Sequence, residues 1–154
     1  MCGIAGIIDN HSDKTQSKIK KMLESIHHRG PDERKVISSS KYAFGVNRLA
    51  IETLKEGQQP IEDEKIIIGF NGEIFNYKEL RTRYNLKKSI YNSEVKVLLF
   101  LFHKFGPEFT DLLEGQFAIF VYIKKSNTIH LFRDRFGIRP IFYFYDKTKI
   151  IFCS

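Results

Sequence analysis

The chain opens Met1-Cys2-Gly3-Ile4-Ala5-Gly6-Ile7-Ile8, and this stretch decides how the rest is read. Methionine is commonly trimmed when the next side chain is small, and Cys qualifies. The mature chain would then carry a thiol and a free α-amino group on one residue. A thiolate is already a good nucleophile, and the neighbouring amine can take its proton. The amine titrates near pH ~8 unperturbed, so an unprotonated fraction exists at neutral pH. The apolar run behind it reads as a buried strand that holds the terminus still. The plainer alternative is that Cys2 is simply a small buried residue, a common use of cysteine.

At 154 residues the chain has the length of one domain, and that length can bury a sizeable core. No apolar run approaches the ~20 residues of a membrane span, and no basic region precedes the short first run. A membrane span and a signal peptide are therefore not expected. Two cysteines, Cys2 and Cys153, make no disulfide framework and suit a reducing, cytoplasmic setting. The net charge of +7 raises the question of nucleic acid. The basic residues are scattered, and the aromatics sit in apolar runs such as 117–122 and 141–145. A solvated basic face is expected, not a nucleic-acid site.

Working outward, apolar residues at Ile19, Met22, Leu23 and Ile26 predict a helix over 15–27, stopped by Gly30-Pro31. His28-Arg29-Gly30-Pro31-Asp32 reads as a tight polar turn. Strands are predicted over 35–38, 42–46 and 65–70, with a loop over 52–64 between the last two. The 65–70 strand is expected to end abruptly at Asn71-Gly72-Glu73. Asn76 is expected to cap a helix over 77–84. A helix apolar nearly all round runs over 93–105, so it is expected between layers. A short helix over 107–113 and strands over 116–123, 128–133, 141–145 and 149–153 complete the pattern. Strands, helices and a closing meander predict sheets packed with helices in layers, an α+β class. The last strand runs to the end of the sequence, which implies a longer natural chain.

An N-terminal cysteine nucleophile needs an acyl substrate, an oxyanion hole and orienting groups. Asn71-Gly72 can supply two donors to one developing oxyanion, a side-chain amide and a backbone N–H. The same pair also suits a turn. Arg48 can recognise a carboxylate bidentately, or serve as a surface arginine. Glu94, at the head of a helix, can hold a ligand ammonium or answer the helix dipole. One guanidinium and one acid describe a pocket for a free amino acid. No metal-ligand spacing and no Gly-rich phosphate loop is present.

Cys2-Gly3-Ile4-Ala5-Gly6, His28-Arg29-Gly30-Pro31-Asp32, Asn47-Arg48-Leu49-Ala50-Ile51, Gln59-Pro60, Asn71-Gly72-Glu73-Ile74-Phe75-Asn76 and 133–140 stand in the order found in class II glutamine amidotransferases. The set resembles the N-terminal glutaminase domain of glutamine-hydrolysing asparagine synthetases, over residues 1–154. The resemblance implies the N-terminal-nucleophile hydrolase fold, a four-layer αββα sandwich. It implies that Cys2 attacks the side-chain amide of L-glutamine, giving a γ-glutamyl thioester, ammonia and glutamate. Asn71 and Gly72 would form the oxyanion hole. Arg48 would hold the α-carboxylate. Leu49, Ala50, Ile51, Glu52, Glu73 and Glu94 would line the amino-acid end, and 133–140 would be largely structural. The family usually has Asp where Glu94 stands, and an apolar or neutral residue where Glu52 stands. No cofactor is implied for this domain. ATP and Mg belong to a C-terminal or separate synthetase domain, which is absent from these residues. A homodimer is left open as the assembly. A sugar or cell-surface ammonia acceptor and a non-hydrolysing glutamine-binding domain are the alternatives.

Overall fold

Isoleucines 66, 67 and 68 show how the layers are built. In the computed structural model, which describes residues 2–11, 14–50 and 56–154, all three are buried, yet they enter two different cores. Successive strand side chains point to opposite faces. Ile66 and Ile68 pack under helices, and Ile67 packs against a second sheet. A run of three apolar residues therefore marks a strand covered on both faces.

The elements in order are β1 (Gly3–Asp9), α1 (Thr15–Ser25), a 3-10 turn (His27–Arg29), β2 (Glu33–Ser38), β3 (Tyr42–Arg48), β4 (Ile61–Glu62) and β5 (Ile66–Ile74). There follow α2 (Tyr77–Arg83), α3 (Glu94–Phe105), a 3-10 segment (Gly106–Leu112), β6 (Gly115–Ile123), β7 (Thr128–Arg133), β8 (Phe142–Tyr145) and β9 (Lys149–Cys153). The strands form two antiparallel sheets, ordered β2-β3-β1-β9-β8 and β4-β5-β6-β7.

Three buried clusters define four layers. Ile19 and Leu23 of α1 pack on Ala5, Ile7 and Ala43 of the first sheet. Ile4, Ile8, Phe44, Val46 and Phe152 of that sheet meet Ile67, Ala118, Phe120 and Tyr122 of the second. The far face of the second sheet, with Phe70 and Ile119, packs on Val95, Leu98 and Phe102 of α3. The result is the expected αββα sandwich. The aromatic rings Phe44, Phe120 and Phe152 lie 5.2–6.2 Å apart between the sheets. At this spacing aromatic pairs add to area burial, so this cluster pins the two sheets together.

Three local expectations differ. The β5 strand does not stop at Phe70 but continues to Ile74, so Asn71 and Gly72 lie within the ladder opposite Ala118 and Phe117. A two-residue strand, β4, stands inside the expected loop and pairs Ile61 with Ile68. Asn76 occupies the N-cap position of α2 but makes no side-chain cap. Its amide instead donates to Leu112 O (2.9 Å) and accepts from Glu114 N (3.0 Å), fastening α2 to the start of β6. Ser93, at the N-cap position of α3, likewise makes no cap bond.

Candidate active site

Strand parity assembles the site. Cys2 is in step with Ile4, and Arg48 is in step with Val46 and Phe44, so both lie on the inner face of the first sheet. Asn71 is in step with Ile67, on the inner face of the second sheet. All three meet at one end of the space between the sheets. They line a cavity of about 190 Å³, with Leu49, Gly72, Glu73 and Glu94 among the other expected residues.

The polar turn at 28–32 fastens this end. Arg29 donates from Nε to the Cys2 carbonyl (3.4 Å). Asp32 donates its N–H to Arg48 O (3.1 Å) and accepts the Ala50 N–H on Oδ2 (2.8 Å). Gly30 passes so close to the Asn47–Arg48 backbone that a Cβ would overlap it. The turn therefore ties two expected site segments, Cys2 and 48–50, to one another. Ala50 is engaged by Asp32 and is not among the residues lining the cavity. The expected positions Ile51 and Glu52 lie outside the described residues.

Cys2 is half-buried and free, with Sγ 4.0 Å from Leu49 O. Arg48 is 5% exposed and donates from NH1 to Glu33 Oε2 at 3.2 Å. Arg48 and Glu33 are register partners on β3 and β2, so the ladder itself brings the pair together. Glu94 accepts the Ile74 N–H on Oε1 at 2.7 Å, which anchors the carboxylate at the end of β5.

Asn71 is fully buried, and neither its Nδ2 nor its Oδ1 has a hydrogen-bond partner among the described residues. A buried amide left unpaired costs roughly 1–3 kcal/mol, which a structural asparagine would not retain. Gly72 follows at φ +147°, and a Cβ there would overlap the Gln116 carbonyl. Glycine is required at this point of the ladder for both reasons.

Gln59, Ser93 and Arg139 also line the cavity and were not singled out as site residues by sequence. Gln59 is buried and accepts the Phe70 N–H (2.8 Å), which braces β5 just before Asn71. Its place beside Pro60 in a recognisable pair was the available signal. Ser93 Oγ is buried without a partner among the described residues. Arg139 belongs to the 133–140 stretch expected to be structural. No cluster of three or more His, Cys, Asp or Glu suited to a metal occurs among the described residues. Among them no helix is long and apolar enough to cross a membrane.

A family model described as a glutamine amidotransferase domain matches residues 1–154. Asparagine synthetase [glutamine-hydrolyzing] 2 of Bacillus subtilis (strain 168) is 39% identical over 160 residues, covering 100% of this chain and 21% of its own length. A putative asparagine synthetase [glutamine-hydrolyzing] 2 of Methanocaldococcus jannaschii is 35% identical, covering 100% of this chain and 34% of its own length. Asparagine synthetase B [glutamine-hydrolyzing] of Escherichia coli (strain K12) is 33% identical, covering 96% and 27%. The chain thus spans between a fifth and about a third of the length of these relatives. Among solved structures, glutamine phosphoribosylpyrophosphate amidotransferase from B. subtilis superposes with a TM-score of 0.78 at 19% identity, covering 99% of this chain and 41% of that one. That likeness carries the fold alone: an α+β sandwich.

Proposed function

The chain belongs to the glutamine amidotransferase domain family, and we propose that Cys2 is its nucleophile and hydrolyses the side-chain amide of L-glutamine. Removal of Met1 exposes the α-amino group of Cys2. That amine takes the thiol proton as Sγ attacks the amide carbon. The developing oxyanion receives hydrogen bonds from Asn71 Nδ2 and the Gly72 N–H. The amine then gives its proton to the leaving nitrogen. Ammonia departs and a γ-glutamyl thioester remains on Cys2. Water attacks the thioester and releases glutamate and the thiol, which closes the cycle.

The observation that carries this reading is the fully buried Asn71 amide, without a partner among the described residues, that lines one cavity with Cys2. Each donor aimed at a developing oxyanion lowers the barrier by ~2.7–4 kcal/mol. Arg48 is the α-carboxylate ligand and Glu94 the α-ammonium ligand. Leu49 and Glu73, which line the same cavity, complete the amino-acid end.

The ammonia would serve a synthetase portion such as the relatives' names state, with asparagine as the product, and ATP and magnesium would be required there. The domain itself would use no cofactor, residues 1–154 would form one glutaminase unit, and the setting would be cytoplasmic. The test is glutamate release from L-glutamine by the purified chain, with intact-mass confirmation that Met1 is gone. Cys2→Ala should abolish release. Undiminished release by that variant would refute the nucleophile assignment.

A further inference from the structure

The turn that follows β7 sorts its side chains in reverse. Phe136 is 90% exposed and Ile138 54% exposed, while the cationic Arg139 is half-buried and lines the cavity. Apolar side chains ordinarily go in and arginines out. Here the backbone is held so that the guanidinium turns inward, and its Nε is enclosed by protein.

Both peptide groups of Arg139 are clamped by charged side chains. Its N–H donates to Asp134 Oδ2 at 2.9 Å, and its carbonyl accepts from Arg133 Nε at 3.0 Å. Arg133 NH2 also donates to Gly137 O at 2.5 Å. Asp134 Oδ1 accepts the Phe136 and Ile138 N–H groups (3.1 and 2.9 Å), and the Asp134 carbonyl accepts that of Gly137 (2.9 Å). Fixing backbone costs conformational entropy at every residue held. A turn whose only task were to link β7 to β8 would need no such clamp on the residue that faces the cavity.

The charges around the cavity give the clamp a purpose. Arg48 is already paired with Glu33, and Glu73 and Glu94 add two acids to the lining. A free amino acid carries one carboxylate and one ammonium, and among the described lining residues Arg139 is the second cation beside Arg48.

We propose that Arg139 is a second carboxylate-recognising residue of the glutamine pocket, acting beside Arg48, and that Asp134 and Arg133 are the positioning residues that hold it there. The proposal rests on the reading of this cavity as a glutamine site. The guanidinium gives a charge-assisted hydrogen bond to the α-carboxylate and takes no part in breaking the amide bond.

The test compares the purified chain with Arg139→Gln and Arg139→Lys on two substrates. One is L-glutamine. The other is 4-aminobutanamide, which is glutamine without its α-carboxylate. Arg139→Gln should raise KM for L-glutamine about 10- to 100-fold with kcat within about threefold, as expected for losing a hydrogen bond to a charged group. Its kcat/KM for 4-aminobutanamide should stay within about twofold. Arg139→Lys should recover part of the loss. An unchanged KM for L-glutamine, or an equal loss on both substrates, would overturn the proposal in favour of a purely structural arginine. Activity retained by Cys2→Ala would instead bring down the nucleophile assignment, so the two failures are distinct.

Discussion

Phe117 and Asp134 exchange hydrogen bonds: the Phe117 N–H donates to Asp134 Oδ2 at 3.2 Å, and the Asp134 N–H donates to Phe117 O at 2.9 Å. Phe117 is the register partner of Gly72. Asp134 thus joins the strand that backs one proposed oxyanion donor to the turn that carries Arg139.

Asp134→Asn should destabilise the fold at neutral pH. The carboxylate accepts four backbone N–H groups, two on each oxygen, and an amide would set its own NH2 against two of them. The expected loss is about 2–4 kcal/mol. Burial alone would push this carboxyl up, but the N–H groups of Arg139, Ile138, Phe117 and Phe136 outweigh it and hold it below its ordinary value of 3.8. A depressed carboxyl stabilises fully above its unfolded-state value, and that contribution is lost as pH falls through the folded-state one. Denaturant unfolding of both proteins should therefore show a gap at pH 7 that narrows below pH ~4. A gap independent of pH would contradict this account.

Asn71→Ala should separate chemistry from stability. Its amide has no partner to lose among the described residues, so unfolding midpoints should change little. The rate should not be spared: loss of one oxyanion donor lowers kcat by ~10²–10³ with a small effect on KM. Steady-state glutaminase kinetics and a thermal melt check the two halves. Wild-type kcat, or a collapse of stability instead, would place Asn71 outside the proposed oxyanion role.

The residues of this site were legible in the sequence as chemistry, Cys2, Arg48, Asn71-Gly72 and Glu94 each by its type and place, whereas the inward strand faces that gather Cys2, Arg48 and Asn71 are seen only in the structure. The three-isoleucine run and the all-round apolar α3 announced covered faces, and from them the layers follow. What escaped had a different physical origin. The extension of β5 past Phe70 is decided by pairing with β6, and nothing in Asn71-Gly72-Glu73 reports a long-range partner. Asn76 looked like a cap because propensity is local, but 112–114 is 36 to 38 residues away and claims its amide. Arg139 was assigned to a structural stretch because its inward course depends on clamps by Asp134 and Arg133 that composition does not display.

Gly72→Ala should be more damaging than an ordinary glycine-to-alanine change. A backbone at φ +147° is costly for any L side chain, and the methyl would meet the Gln116 carbonyl and the Phe117 backbone. These are ladder atoms between two central strands and have nowhere to move. A loss of at least ~3 kcal/mol in denaturant unfolding is expected, with glutaminase activity falling in parallel. A variant within ~1 kcal/mol of wild type would mean that β5 and β6 part more easily than their nine-pair register implies.

Glu94→Gln decides between two uses of one carboxylate. Glu94 Oε1 accepts the Ile74 N–H at 2.7 Å, and a glutamine carbonyl can accept that bond equally well. If the residue only braces the end of β5 and the head of α3, the substitution should shift stability by less than about 1 kcal/mol and leave KM alone. If it also holds the α-ammonium of glutamine, the lost charge should raise KM about tenfold or more with little change in kcat. We expect the second pattern, because Glu94 lines the cavity with Cys2 and Arg48. Glu94→Asp is the companion measurement: one methylene shorter, it keeps the charge but cannot hold the Ile74 contact at its present length. KM should rise in that variant too, through loss of position and not of charge. Raising the ionic strength should weaken glutamine binding by Glu94→Asp, which retains the ion pair, more than by Glu94→Gln, which lacks it.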